Sequence, residues 1–185
     1  MSVSPLEFRK AMGCFATGVT IVTVDLDGEV HGMTANAFAS VSLDPLLILV
    51  CVDHTARTHA HLHARKRFGI NILSADQRAV SEYYARKVGT DSLVNEHAQD
   101  QHTHDRGTEG ERAEAEAGAR FDRTVKGTPI LHGALAYLEC RLKSAQDAGD
   151  HTIFIAEVEE VVVREGEPLL FFRGRYRNIG GESPE

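Results

Sequence analysis

Runs of β-branched and apolar residues, each closed by a turn signal, recur along this chain. Val19 to Val24 is one such run, and Asp25-Leu26-Asp27-Gly28 follows it with residues suited to a tight turn. The pattern predicts a second strand from Val30 to about Phe38, paired with the first as a hairpin. Asp44-Pro45 punctuates the chain, and Leu46 to Val52, its longest apolar stretch, has the length of a buried central strand. Phe68 to Leu73 predicts another strand. Farther on, Ala134, Ala136, Leu138, Cys140 and Leu142 alternate with Tyr137, Glu139, Arg141 and Lys143. That period of two belongs to a strand with one face inward and the other outward. Ala148-Gly149-Asp150 turns the chain into a long partner, Ile153 to Val163. Glu165-Gly166-Glu167-Pro168 turns it again, and Leu169 to Phe172 closes the set.

Helical signals are fewer. Ser4-Pro5-Leu6-Glu7 has the spacing of a capping box, with Ser4 as N-cap and Pro5 at the first helical position. The helix it starts is expected to bury Phe8, Met12 and Phe15 and to stop at Gly18. Thr55 to Arg65 predicts a short helix with Asp53 or Thr55 as N-cap. Ser74 or Asp76 caps a further one carrying Val80, Tyr83 and Tyr84. From Arg86 to about Arg120 (86–120) the chain turns polar and rich in Gly, Glu and His, with few large apolar residues. Such a stretch buries too little surface to order itself, and it predicts a long, partly disordered surface excursion. Many strands joined by hairpin signals, with two or three helices, imply one mostly β domain over residues 1–185. Its architecture is expected to be a largely antiparallel barrel with helices packed outside.

Composition narrows the function. At 185 residues, 42% hydrophobic and 25% charged, the chain suits a single globular core. Its formal net charge of −7, with no basic stripe, argues against a general nucleic-acid binder. No apolar run is long enough to span a bilayer and the N-terminus lacks a signal-peptide pattern. Cys14, Cys51 and Cys140 are scattered in apolar surroundings, with no Cys-x-x-Cys spacing, and read as reduced, buried thiols of a cytoplasmic protein.

Two segments carry candidate chemistry. Gly32-Met33-Thr34-Ala35-Asn36-Ala37-Phe38-Ala39-Ser40-Val41-Ser42 is mostly small, with hydroxyls beside an Asn. Small side chains let a flat ligand approach backbone N–H groups, to which hydroxyls add further bonds; the plainer alternative is an ordinary hairpin strand. Cys51-Val52-Asp53-His54-Thr55-Ala56-Arg57-Thr58 leaves a strand and opens a helix, where free N–H groups, the helix dipole and Arg57 suit an anion. The alternative there is a capped helix, which is compatible with anion binding. His151, at a hairpin mouth, and Arg173-Gly174-Arg175-Tyr176, after the last strand, are further candidates; a turn histidine and a solvated tail are their alternatives.

Other chemistries fit less well. The chain has 10 histidines, but of His59, His61 and His63 only the first and last share a helical face, and His97, His102 and His104 fall in the polar excursion. Neither group carries a zinc-ligand pattern, so no metal is expected. Hydrolase signatures are absent. No Gly-x-Gly-x-x-Gly follows a strand, so a nicotinamide cofactor would not sit in a Rossmann pocket.

Taken in order, several pieces resemble the short-chain flavin reductase family, the reductase components of two-component flavin-dependent monooxygenases. They are Phe8-Arg9, Gly18-Val19-Thr20-Ile21-Val22-Thr23, Gly32 through Ser42 with Asp44-Pro45, Phe68-Gly69-Ile70-Asn71-Ile72-Leu73, Gly133 through Cys140, Gly149-Asp150-His151-Thr152-Ile153-Phe154 and Pro168 through Gly174. The resemblance implies an FMN-binding split β-barrel, usually a homodimer with flavin sites near the subunit interface. It implies FMN or FAD as the flavin, NADH or NADPH as hydride donor, and a separate oxygenase as partner. By that likeness Thr34, Ala35, Asn36, Ala37, Phe38, Ser40 and Val41 line the isoalloxazine and ribityl chain. Val52, Asp53, Arg57 and Thr58 surround the phosphate, and His151, Arg175 and Tyr176 border the nicotinamide. The chain departs from the family where Leu46 follows Pro45 in place of a second proline, and in its longer, more polar excursion. Alternatives are a flavin-dependent oxidase related to the pyridoxamine-phosphate oxidases, a non-enzymatic flavin carrier or redox sensor, and a metal-binding module.

Overall fold

The computed structural model describes residues 3–85 and 117–179, so the expectation of an excursion over 86–120 lies, apart from 117–120, outside the described residues. Helix α1 (Pro5–Met12) forms behind its capping box: Ser4 Oγ accepts from the Glu7 N–H at 3.2 Å and Glu7 Oε2 accepts from the Ser4 N–H at 2.9 Å. It stops at Gly13, earlier than Gly18, which instead pairs with Leu170 in strand β1 (Thr17–Gly18). None of its residues is buried. Phe8 is 59% and Phe15 70% exposed, so the apolar face expected to pack inward lies on the outside of the chain.

Strands β2 (Thr20–Leu26) and β3 (Glu29–Ala35) form the expected hairpin. Asp27 and Gly28 turn it with φ of 54° and 99°, the pair of positive values that matches the twist of the flanking strands. The strand expected to run on to Phe38 breaks at Asn36-Ala37, and β4 (Phe38–Leu43) starts afresh, pairing with β5 (Leu46–Asp53). Helix α2 (Arg57–Arg65), strand β6 (Arg67–Ile72), a 3₁₀ turn capped by Ser74 and helix α3 (Arg78–Ala85) follow. After residue 116 come the short hairpin β7 (Phe121–Arg123) and β8 (Pro129–Leu131), then β9 (Ala136–Ala148) and β10 (His151–Val163). A last hairpin, β11 (Leu170–Phe172) and β12 (Arg175–Arg177), turns at Arg173-Gly174 and pairs with β1. Arg175 and Tyr176 thus belong to a strand, where a tail was the alternative.

The main sheet has the order β3-β2-β6-β9-β10-β5-β4, with every pairing antiparallel. β5, expected to be central, lies next to the edge. β3 and β4 are the two edges and do not pair, yet three Cα steps separate Ala35 from Phe38, so the edges come within about 11 Å of each other there. The sheet is thereby curled into a barrel split along one seam. Val22, Val50, Phe68, Ile70, Phe154 and Ala156 fill its core, and Leu62 plugs α2 into it. A second core of Val19, Ile21, Leu73, Val80, Leu131 and Leu169 joins α3 and the β1-β11-β12 sheet to the barrel. The alternation in β9 placed Tyr137 and Glu139 outward, but both are fully buried. Thr128, at the start of the β8 arm, gives the Glu139 carboxylate a 2.6 Å hydroxyl bond, and Arg67 lies 3.2 Å away. No helix among the described residues is long and apolar enough to cross a membrane.

Candidate functional site

A cavity of about 700 Å³ opens at the seam, between the β3–β4 corner and the start of α2. This lies within the range of roughly 300–1,000 Å³ typical of small-molecule sites. One wall is the edge strand β3 from Gly32 to Ala35, continued through Asn36 and Ala37. β3 pairs only with β2 among the described residues, so alternate N–H and C=O groups along its outer edge have no strand partner. Two side chains on this wall are already engaged. Thr34 Oγ1 donates to the Ser81 carbonyl at 2.7 Å, and Asn36 Nδ2 donates to Thr17 Oγ1 at 3.3 Å. Recognition along this wall therefore falls chiefly to the backbone. Gly32 keeps it bare: a Cβ there would stand 2.8 Å from the Tyr84 ring, which lies against the glycine and lines the cavity.

The opposite corner is where β5 turns into α2. Asp53 Oδ1 accepts from the Thr55 N–H at 2.8 Å and from its hydroxyl at 2.7 Å, folding the chain tightly before the helix. Asp53 therefore stabilises the turn, and the N-cap position itself is Ala56, which offers no side-chain hydrogen bond. The expectation of Asp53 or Thr55 as N-cap is corrected accordingly, because the turn spends one more residue before the helix begins. The N–H groups of the first turn of α2 thus face the cavity without a side-chain cap, flanked by Arg57 and by the buried Thr58. His151 and Asp150 stand at the mouth, with His151 Nδ1 2.7 Å from Asp150 Oδ1. That bond holds the Asp150 carboxyl below the usual carboxylate range. Cys51 lines the wall with its thiol pKa raised by burial, an uncharged surface and a poor nucleophile.

Of the residues singled out in the sequence, the cavity gathers Thr34, Ala35, Asn36, Ala37, Asp53, Arg57, Thr58 and His151. It does not gather the others. Val52 points into the barrel core, and Phe38 packs half-buried against that core. Ser40 and Val41 on β4, and Arg175 on β12, are exposed outside the cavity. Tyr176 packs on Phe171, lies under the Arg78 guanidinium and hydrogen-bonds Ser81 at 2.8 Å, so its contacts brace α3 from behind. Arg9, Tyr84 and Ala85 line the cavity from helices that the sequence marked only as packing elements. No local spacing points to them, since the chain's long-range return brings them in; Phe8-Arg9 was noted only as one of the matching pieces.

The histidines of α2 sit beside this site. His59 and His63 do share a face, with ring centroids 5.0 Å apart. Among the described residues no group of three or more His, Cys, Asp or Glu is arranged to hold a metal ion, and His97, His102 and His104 lie outside them. Chemically, the donor set fits a flat heteroaromatic ring with a phosphate tail. It sets an open strand edge on one side against an uncapped helix start with Arg57 on the other, with His151 at the mouth.

Comparison with known proteins agrees. A family model described as "Flavin reductase like domain" matches residues 12–180. An NADH-dependent flavin reductase of a Rhodococcus species is 38% identical over 180 residues, covering 96% of this chain and 88% of that protein. HsaB of Rhodococcus jostii, the reductase subunit of a flavin-dependent monooxygenase, is 32% identical over 179 residues, with 96% and 80% covered. Among solved structures, the Streptomyces globisporus NADH:FAD oxidoreductase SgcE6 in complex with NAD and FAD fragments superposes with a TM-score of 0.78 at 33% identity. The match covers 100% of this chain and 99% of that one.

Proposed function

The chain belongs to the flavin reductase-like family, and from that premise we propose that it is an NAD(P)H-dependent flavin reductase that passes reduced FMN or FAD to a separate monooxygenase. The observation that carries this reading is the pairing of a bare strand edge at Gly32–Ala37 with an uncapped helix start at Arg57–Thr58 in one cavity. When bound, the flavin supplies the ring that accepts hydride, and the protein supplies orientation and electrostatics. The β3 edge and Ala37 would hold the ring through backbone donors, which would favour the negative charge the ring gains on reduction. The α2 N-terminus, Arg57 and Thr58 would anchor the phosphate. His151 would border the nicotinamide and help position it against the ring, turning a bimolecular encounter into a positioned one. None of the described side chains lining the cavity is needed as acid, base or nucleophile; Cys51, with its raised pKa, is a wall.

Three finer points belong to the same proposal. The hydride donor is NADH or NADPH, and the similar proteins are named for NADH. The chain works as a homodimer, which would cover the exposed apolar face of α1. It resides in the cytoplasm, consistent with three cysteines that are all unpaired thiols.

The test is steady-state oxidation of NADH and of NADPH by the purified protein, with FMN and FAD supplied separately. Turnover that requires added flavin and saturates with it is the expected result, and it identifies both cofactors. Tight flavin binding without NAD(P)H oxidation would overturn the reading in favour of an oxidase or a carrier.

A further inference from the structure

Behind the cavity wall lies a polar cluster that hydride transfer does not use. Thr152, on β10, is fully buried, and three groups from other elements converge on its hydroxyl. Asp147 Oδ1 of β9 lies 2.8 Å from Thr152 Oγ1, His59 Nε2 of α2 lies 2.8 Å away, and His54 Nε2 of the β5–α2 junction lies 3.1 Å away. The His59 ring meets those of His54 and His63 edge-on at 5.2 and 5.0 Å, and His63 leans on Phe154 at 4.9 Å.

Hydrogen-bond bookkeeping fixes the protons. A hydroxyl has one proton and two acceptor sites. An ionised Asp147 can only accept, so it takes the proton of Thr152, and that bond helps hold its carboxyl below the usual range. Both histidines must then donate to Thr152, each from Nε2–H. Three of the four groups that meet here are chain neighbours of cavity-lining residues: His54 follows Asp53, His59 follows Thr58, and Thr152 follows His151.

We propose that Thr152 is a positioning residue for flavin binding: its hydroxyl clamps the first turn of α2 to the start of β10 and so sets the anion corner at Arg57 and Thr58 against His151. Resting on the flavin-reductase reading, this assigns to a buried threonine the geometry of the phosphate site. The β5–β10 ladder, which pairs Asp53 with His151, and the backbone bond from His54 N–H to the Asp150 carbonyl at 3.1 Å fix the strand end that precedes α2. The helix start itself has no side-chain cap, and beyond the buried Thr58 its deep anchor Leu62 lies a turn farther along, so the histidine bonds to Thr152 are what tie its first turn to β10.

Thr152→Val removes the hydroxyl while keeping the branched shape, and Thr152→Ser keeps the hydroxyl. Fluorescence-quenching titrations with FMN and FAD should show Kd for the preferred flavin rising about fivefold in Thr152→Val, which loses all three bonds while only part of their energy reaches the flavin site. The flavin KM should follow, kcat should stay within about twofold, and Thr152→Ser should bind like the wild type. A folded Thr152→Val with unchanged flavin Kd would overturn the proposal. A second readout needs no variant and no flavin: long-range ¹H–¹⁵N spectra of the wild type at pH 8 should show His54 and His59 as Nε2–H tautomers. An Nδ1–H tautomer at either would also overturn it. Because that spectrum is independent of cofactor, a failure of the flavin-reductase reading remains distinguishable from a failure of the clamp.

Discussion

His151 illustrates how little a single side chain has to do here. Its ring is tied to Asp150 at the mouth of the cavity, and a phosphate would be anchored by other groups, at the start of α2. His151→Ala should therefore raise the nicotinamide KM about tenfold while flavin Kd stays within about twofold, since one lost polar contact is worth roughly a decade. Initial-rate kinetics with varied NADH, alongside flavin titration, check this; an unchanged nicotinamide KM would defeat the assignment. Gly32 makes the opposite kind of prediction. In Gly32→Ala the new Cβ, 2.8 Å from the Tyr84 ring, must push that ring aside. The ring is also wedged against Tyr83 and Phe121, so it cannot give way freely. Flavin affinity should fall, and Tyr84→Leu in the same chain should restore part of it, a coupling that a double-mutant cycle measures. Residues such as Ala35, Asp53 and His151 were legible in the sequence because strand ends, turns and helix starts leave local signals. Arg9 and Tyr84 were not, because only the folded chain brings their helices to the seam.

Among the elements, α2 couples the site to pH. The His59 pKa is lowered by burial first, then by the neighbouring His63 and His54, with Asp147 and Asp53 opposing. Its folded value thus lies below the ordinary value of about 6.5 that it regains on unfolding. Between those two values the unfolded chain binds the extra proton, so stability rises with pH across that window and is lost as pH falls through it. Melting temperature should drop between pH 7.5 and 5.5, and His59→Gln should flatten that drop; an equal slope in both proteins would refute the cause. The carboxylates Asp147 and Asp150, also lowered, titrate further toward acid and do not confuse this window. Most hairpins were legible in advance, because Asp27-Gly28 and Gly149-Asp150 carry turn chemistry in their own residues. The break between β3 and β4 was not: Asn36-Ala37 contains neither Gly nor Pro, and the strands part because they form opposite edges of the sheet, each pairing with a different neighbour. Two-sided burial of β9 was equally invisible, since the β7–β8 hairpin that covers Tyr137 and Glu139, though it just precedes β9, is too short to show a strand pattern of its own.

At the scale of the whole molecule, the split barrel could be named from the resemblance and the strand count, but its strand order could not, because register between distant strands leaves no local mark. The misread face of α1 turns out to be informative at this scale. Phe8 and Met12 lie one turn apart on the helix, Phe15 follows just past its end, and all three stay exposed beside a well-made capping box. A sequence that specifies the helix so carefully and then leaves its apolar side uncovered points to a second surface, and a second copy of the chain is the occupant that the homodimer proposal supplies. Sedimentation should then give a mass of about 41 kDa, twice the 20.3 kDa of one chain. Replacing Phe8 and Phe15 together by Asp should shift it toward one chain, because burying two carboxylates against an apolar face is strongly unfavourable. The barrel core, which contains neither residue, should keep its cooperative melt in that variant. Arg9 lies on the same helix and lines the cavity, so weaker flavin binding should accompany the loss of the dimer. A wild-type chain that sediments as a monomer at assay concentration, with full flavin affinity, would refute the dimer and leave the α1 face for another partner.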